Sequence, residues 1–248
     1  IGRTAALSPL RFLEWSARQG GALLAIGIFV GLFVPPLAAL FRDFVTITVA
    51  GLMTLVLLRV DPAQLDPSGL TTITWISPSQ DGRLVAYGTY RAGDENTTLH
   101  LMEVDSGKLL PLEIPNKTQA PDWMPDGSGF LYQNLKDPKD PYSGRVLYHR
   151  MGTDVAQDPI LFRQYTKEEN EKLATTWGPG GSLSRDGKWL TLIYFTGTRS
   201  NDLWVADFAH FLATGKLEKR EVAIGKDGTS FGFVDGDTLF VQTNVGAP

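Results

Sequence analysis

The chain has 248 residues, 43% of them hydrophobic and 20% charged, with 23 basic against 27 acidic side chains and a net charge of −4. That length accommodates one large domain or two small ones with a buried core. The near balance of charge leaves no polyanion-binding excess, so nucleic acid is not an expected partner. There is no cysteine, which excludes disulfides, thiolate zinc sites and a cysteine nucleophile. The three histidines, His100, His149 and His210, fall far apart and make no HExxH spacing. No metal site and no cofactor site is expected from them.

Residues 1–66 carry five arginines, four acidic residues and no lysine, so the remainder of the chain holds every lysine. The shift in composition places a domain boundary between Asp61 and Leu70, giving a helical segment over 1–64 and a second domain over 65–248. Gln19–Phe41 is free of charge and long enough to span a bilayer as a helix, and it tolerates its internal Gly27, Gly31, Pro35 and Pro36 best in a membrane. Phe44–Leu58 is a second uncharged run, short for a span unless Arg59 snorkels, with a buried soluble hairpin as the alternative. A signal peptide is disfavoured by the length of the first run and the presence of the second. Arg3, Arg11 and Arg18 precede the first run, so two spans would leave both ends, and the second domain, on the cytoplasmic side. Membrane association is expected through residues 19–58, and a cytoplasmic location if they do not insert.

The second domain repeats. Asp-Gly pairs stand at Asp81-Gly82, Asp126-Gly127, Asp186-Gly187 and Asp235-Gly236. Each precedes an apolar strand-like run: from Arg83, Ser128, Lys188 and Asp237. Such pairs mark tight turns because glycine accepts a positive φ. A further strand follows in each of the first three units, at Thr98–Val104, Arg145–Met151 and Asn201–Phe208, and outer strands such as KLLPLEI and DPILFRQ close the first two. Four short strands per unit of this length predict a β-propeller. The division is a three-strand part over 71–115, full blades over 117–165 and 174–225, and an opening half-blade over 228–243. The fold class is therefore mainly β: about three and a half four-stranded blades after a two-helix, membrane-type segment. An antiparallel sandwich is the competing arrangement. Such an arc is expected to leave apolar surface on Leu84, Val85, Leu239 and Val241, and to self-associate.

Two resemblances accompany these readings. RFLEWSARQGGALLAIGIFVGLFVPPLAALFRDF with LLRVDPAQL resembles the amino-terminal helices of the bile acid:sodium symporter family, over about residues 10–64. No sodium or substrate residue transfers from it. The run SPSQDGRLVAYGTY, then APDWMPDGSGFLYQNL, RVLYHRMGTDVAQDPILF and LSRDGKWLTLIYFTGTRSNDLWVADF resembles the propeller of the prolyl oligopeptidase family, over about residues 65–248. That resemblance implies a cap that gates short peptides to a serine peptidase domain, with the hydrolase domain or the remaining blades as partners. Short peptides would bind only with that domain present.

The chemistry of that family needs Gly-x-Ser-x-Gly, an acid and a histidine. The nearest string, Gly180-Gly181-Ser182-Leu183-Ser184, lacks the closing glycine. No catalytic residue is assigned. Gly178–Ser182 reads as a β-turn rather than a phosphate loop, Asp137 and Asp140 as a solvated loop rather than a calcium site, and KEENEK (167–172) as a solvated charged stretch. Asn96 and Asn116 open glycosylation patterns that matter only in a secreted eukaryotic chain. Trp123, Trp177, Trp189 and Trp204 read as blade core. Thr118 and Gly178 occupy the turns where the family places some pocket residues, and neither takes a binding role. The competing functions are a membrane-anchored propeller acting as a binding module and a symporter fragment with a propeller passenger.

Overall fold

A computed structural model describes residues 69–246. The readings of Gln19–Phe41 and Phe44–Leu58 as membrane-type helices, and the symporter resemblance, lie outside these residues. Among the described residues no helix is long and apolar enough to cross a membrane.

The described chain forms three four-stranded antiparallel sheets and a hairpin, each made of strands in sequence order. The first sheet is β1 (Thr71–Pro78), β2 (Leu84–Arg91), β3 (Thr98–Glu103) and β4 (Leu109–Ile114). The second is β5 (Asp122–Trp123), β6 (Gly129–Leu135), β7 (Gly144–Arg150) and β8 (Ile160–Arg163). The third is β9 (Gly178–Leu183), β10 (Trp189–Phe195), β11 (Asn201–Asp207) and β12 (Lys219–Ala223), with a helix α1 (Phe208–Thr214) between its last two strands. β13 (Ser230–Asp235) and β14 (Thr238–Thr243) pair alone. The sheets are propeller blades, with β1, β5 and β9 as first strands. The first unit is thus a whole blade rather than a three-strand part, because Thr71–Pro78 pairs with β2 along its length.

The Asp-Gly turns explain the regularity. Gly82, Gly127, Gly187 and Gly236 all take positive φ, between 58° and 71°. In the first three the glycine N–H donates to the carbonyl three residues back, at 2.9 Å in each. Ser79 and Ser184 add a hydroxyl bond to the turn aspartate, at 2.7 and 2.6 Å, and accept the N–H that opens the next strand. These bonds return the chain into the second strand of each blade with its register set.

Period-two alternation then decides which blade each side chain meets. On the second blade, Phe130, Tyr132 and Leu147 face the first blade, where Ala86, Leu99, Leu101 and Ile114 are buried against them. Leu131, Val146 and Tyr148 face the other way, into a core with Leu190, Leu192, Tyr194 and Trp204 of the third blade. Each fully buried side chain of this kind contributes about 1.5–3 kcal/mol. A two-faced apolar strand is what a blade between two blades requires, and β10, with Leu190, Leu192 and Tyr194 all buried, has that character. A sandwich with one solvated face per sheet does not describe it.

Direct bonds between blades accompany the apolar contacts. Trp75 Nε1 donates to the Thr118 carbonyl at 3.3 Å, Trp123 Nε1 to the Ser77 carbonyl at 3.2 Å, and the Leu183 N–H to Asp122 Oδ2 at 2.7 Å.

Three further expectations need correction here. Phe208–Thr214 is helical, so the strand expected over Asn201–Phe208 ends at Asp207. Asp207 accepts the His210 N–H at 2.8 Å as its N-cap, and Gly215, at φ 73°, closes it. Leu84 packs into the core beside the first blade, and Val85 and Leu239 are half-buried. Val241 is exposed as expected, and so are Ile76 on β1 and Phe231, Phe233 and Phe240 on the hairpin. The third correction concerns β9 and belongs with the site.

Candidate functional site: the recess beside β9

In an antiparallel blade the turn before the first strand and the turn between the second and third strands lie at one end, opposite the Asp-Gly turns. Thr118, Trp177 and Gly178 therefore share an end of the blades. Gly178–Leu183, of which Gly178–Ser182 reads above as a turn, is a strand paired along β10 from Phe195↔Gly178 to Leu190↔Leu183. Glycine weakens a strand by itself, and here it is the packing that demands it. A Cβ on Gly181 would stand 3.0 Å from Leu192 and 3.1 Å from Val146 of the adjacent blade. A Cβ on Gly180 would stand 3.1 Å from Ile193. Close approach of three strands, invisible to local propensity, selects glycine.

The segment leading into β9 is held firmly. Gln164 is buried, and its Nε2 donates to the carbonyls of Leu173, Ala174 and Thr176 at 3.2, 3.2 and 3.1 Å. Tyr194 donates its hydroxyl to the Leu173 carbonyl at 2.8 Å and accepts the Tyr165 N–H at 3.2 Å. Gly178 has φ 75°, and the Gln164 side-chain oxygen fills the place a Cβ would take, so only glycine fits. This fixed base carries Trp177, which is 82% exposed rather than in the blade core. Trp123 and Trp204 are buried as expected, and Trp189 is half-buried with its Nε1 unpartnered.

Beside Trp177 a recess of about 330 Å³ runs along β9. Trp177, Pro179, Ile193, Phe195 and Phe231 supply its apolar surface, with the rings of Phe195 and Phe231 6.3 Å apart. Gln119 and Gln133 supply amides, and Gln133 Nε2 donates to the Gly181 carbonyl at 3.4 Å. The lining contains no charged side chain. Larger hollows include two of about 760 and 620 Å³, beside Arg145 and Tyr165 and beneath α1 respectively.

The remaining candidate residues are dispersed. Ser182 shares a hydrogen bond with the Thr191 hydroxyl at 2.8 Å, within the blade and without a base. His149 is buried against Asp158, His210 lies exposed on α1, and His100 Nε2 meets the Thr89 hydroxyl at 3.0 Å. Thr118 is buried and donates its hydroxyl to the Ile114 and Pro115 carbonyls, which makes it a strut. Asp137 and Asp140 each accept a backbone N–H two residues on, at 2.9 Å, and so shape their loop. Glu169, in the charged stretch, is not merely solvated: both its oxygens accept from Arg163, at 2.7 and 2.8 Å. Among the described residues no group of three or more His, Asp or Glu is placed to hold a metal ion.

This architecture defines a class: consecutive blades of a β-propeller. The sequence model of the prolyl oligopeptidase N-terminal β-propeller domain matches residues 55–248, and the chain belongs to that family. The match begins inside the second apolar run, ten residues ahead of the boundary placed at 65, and the comparisons bring no support to the symporter resemblance. The dual function macrocyclase-peptidase POPB of Galerina marginata is 24% identical over 213 residues, covering 76% of this chain and 28% of that protein. A prolyl endopeptidase of Elizabethkingia miricola is 25% identical over 76% of this chain and 26% of its own length. Among solved structures, one from a study of two prolyl endopeptidases superposes with a TM-score of 0.64 at 27% identity, covering 76% of this chain and 27% of that chain. The chain spans about a quarter of the length of the relatives it matches.

Proposed function

We propose that these blades are the gating wall of a prolyl oligopeptidase-type peptidase, admitting short peptides to a hydrolase domain and contributing no catalytic group. The observation that carries this reading is the match of residues 55–248 to the family's propeller, joined to blades whose first strand β9 borders an uncharged recess. Selection by a wall of this kind is steric. It needs rigid blades, and the two interblade cores provide them. The partners on this reading are a hydrolase domain, the remaining blades, and peptides that meet both.

A chimera tests it. Residues 69–246 would replace the matching blades of the Elizabethkingia meningoseptica prolyl endopeptidase, one of the relatives. The chimera is expected to cleave a short prolyl peptide and to leave a long unfolded protein intact, whereas deletion of the blades exposes both to cleavage. Equal cleavage of both by a folded chimera would contradict gating.

A second reading, a membrane-anchored propeller that binds peptides without hydrolysis, is favoured by the uncharged run Gln19–Phe41. Recovery of residues 1–66 in the aqueous phase of a detergent partition would remove it.

A further inference from the structure

We propose that Asp235-Gly236 is a self-modification site, where the chain closes to a succinimide and reopens as isoaspartate while the other three Asp-Gly turns stay intact. It stands apart from the gating reading and survives or fails without it.

The four pairs carry the same two reacting groups and differ in what holds them. Closure needs the glycine N–H as nucleophile and the aspartate carboxyl as electrophile. At the first three pairs both are engaged. Gly82, Gly127 and Gly187 donate their N–H to the carbonyls of Ser79, Met124 and Ser184, at 2.9 Å in each. Oδ1 of Asp81, Asp126 and Asp186 accepts the N–H of Arg83, Ser128 and Lys188, at 3.0, 2.9 and 3.1 Å. The hydroxyls of Ser79 and Ser184 add a second bond to Asp81 and Asp186. These hydrogen bonds hold all three carboxyls below the usual carboxylate range, which depletes the protonated acid whose hydroxyl leaves most readily.

Asp235 and Gly236 lack such bonds. Asp235 ends β13 opposite Thr238 and is exposed. Among the described residues neither its carboxylate nor the Gly236 N–H has a hydrogen-bond partner. Gly236 has φ 58°, and beyond its chain neighbours no atom lies within 4 Å of the place a Cβ would take, so nothing packed there bars the Asp235 side chain from swinging across. The turn joins two strands that pair only with each other, and a two-stranded hairpin opens locally at low cost.

The step needs no co-reactant but water. The Gly236 nitrogen gives up its proton and bonds to Asp235 Cγ, and the carboxyl hydroxyl leaves, the two departing together as water. Water then adds to the main-chain carbonyl of Asp235 in the ring, and the bond from that carbon to the Gly236 nitrogen breaks. The main chain now runs through Cβ and Cγ, one carbon longer, and the former main-chain carbonyl is a free carboxylate. The added carbon removes the register that seats Thr238 opposite Asp235.

The test ages the full chain at neutral pH and body temperature, native and in strong urea. Peptide mapping with electron-transfer fragmentation, which separates isoaspartate from aspartate, follows all four pairs. In the native chain isoaspartate should accumulate at Asp235 at least about fivefold faster than at Asp81, Asp126 or Asp186, the factor supplied by one ordinary net hydrogen bond. In urea the four rates should converge. Ser79→Ala removes one bond to Asp81, and it should raise the Asp81 rate and leave the Asp235 rate unchanged. Hydrogen exchange in the second and third blades shows that this variant remains folded. Equal native rates at the four pairs, or a faster rate at any of the other three, would overturn the site. So would intact Asp235 in the native chain after the urea sample has converted. A preference for Asp235 that persists in urea would also overturn it, because neighbouring sequence rather than the fold would then set the rate.

Discussion

The imidazole of His149 lies 3.0 Å from the carboxylate of Asp158, and both side chains are only 1% exposed. The other carboxylate oxygen accepts the Tyr132 hydroxyl at 3.0 Å. The network ties the loop after β7 to two strands of the second blade. Burial, and then the Asp158 charge, push the Tyr132 phenol well up, so it stays protonated and donating. Asp158→Ala strands two buried donors, and it should cost about 3–5 kcal/mol in urea unfolding. His149→Phe combined with Asp158→Ala should cost less than the sum of the single changes, since the lost partner is shared. Additive costs would show that the pair does not act as a unit.

The glycines of β9 are set by packing. Gly181→Val should destabilise by about 1–3 kcal/mol through overpacking against Leu192 and Val146. Gly82→Ala has nothing within 4 Å of its new Cβ but must hold φ 70°, so it should cost about 1–2 kcal/mol through backbone strain alone. Adding Val146→Ala should recover part of the Gly181→Val loss and none of the Gly82→Ala loss, a contrast that chemical denaturation measures.

Asn201 replaces a strand partner at the last hairpin. Its amide donates to the Ser230 carbonyl at 2.8 Å and accepts the Ser230 N–H at 2.9 Å, with both residues buried. Asn201→Ala should cost about 1–3 kcal/mol locally. Hydrogen exchange should quicken in β13 and β14 while β2 and β3 keep their protection; uniform quickening would mean that the hairpin is not an independent unit.

Three carboxylates give the pH response its sign. Hydrogen bonds from Arg163 hold Glu169 down to about 2, and the Arg83 N–H with the Ser79 hydroxyl holds Asp81 at about 2. Both favour the folded state above the ordinary carboxylate range, and that contribution is lost as pH falls toward 2. Asp122 is opposite: burial raises it, so stability is lost as pH rises from the ordinary carboxylate range through its raised folded value. Asp122→Asn, which keeps an oxygen for the Leu183 N–H, should raise the Tm at pH 7 and leave it unchanged near pH 2. Arg163→Ala should raise the Glu169 midpoint, followed by NMR, toward the ordinary glutamate range, with the Thr166 N–H still holding it partly down.

What was legible in the sequence, and what was not, divides along local and nonlocal causes. Asp81-Gly82 and its three counterparts mark their turns through residues adjacent in the chain, and the strands after them fall within a residue of their expected starts. β1 and β9 escaped notice for different reasons. Thr71–Pro78 lacks a preceding Asp-Gly signal, and Gly178–Gly181 is glycine-rich because of side chains on β10 and the neighbouring blade. The caps of α1, Asp207 and Gly215, were readable, but the strand pattern running into Phe208 masked them. Trp177 resembles the other tryptophans in its local sequence, and only the folded Gln164 contacts turn it outward. Asp158 gives no sign of pairing with His149, because the loop must first return.

On the proposed reading these blades gate a hydrolase domain and supply no catalytic group. The most direct measurement is hydrolysis of a chromogenic prolyl peptide by the purified chain, with and without a serine-directed covalent reagent. No turnover above buffer and no labelled serine are expected. Turnover abolished by the reagent, with label recovered on a peptide from residues 69–246, would contradict it.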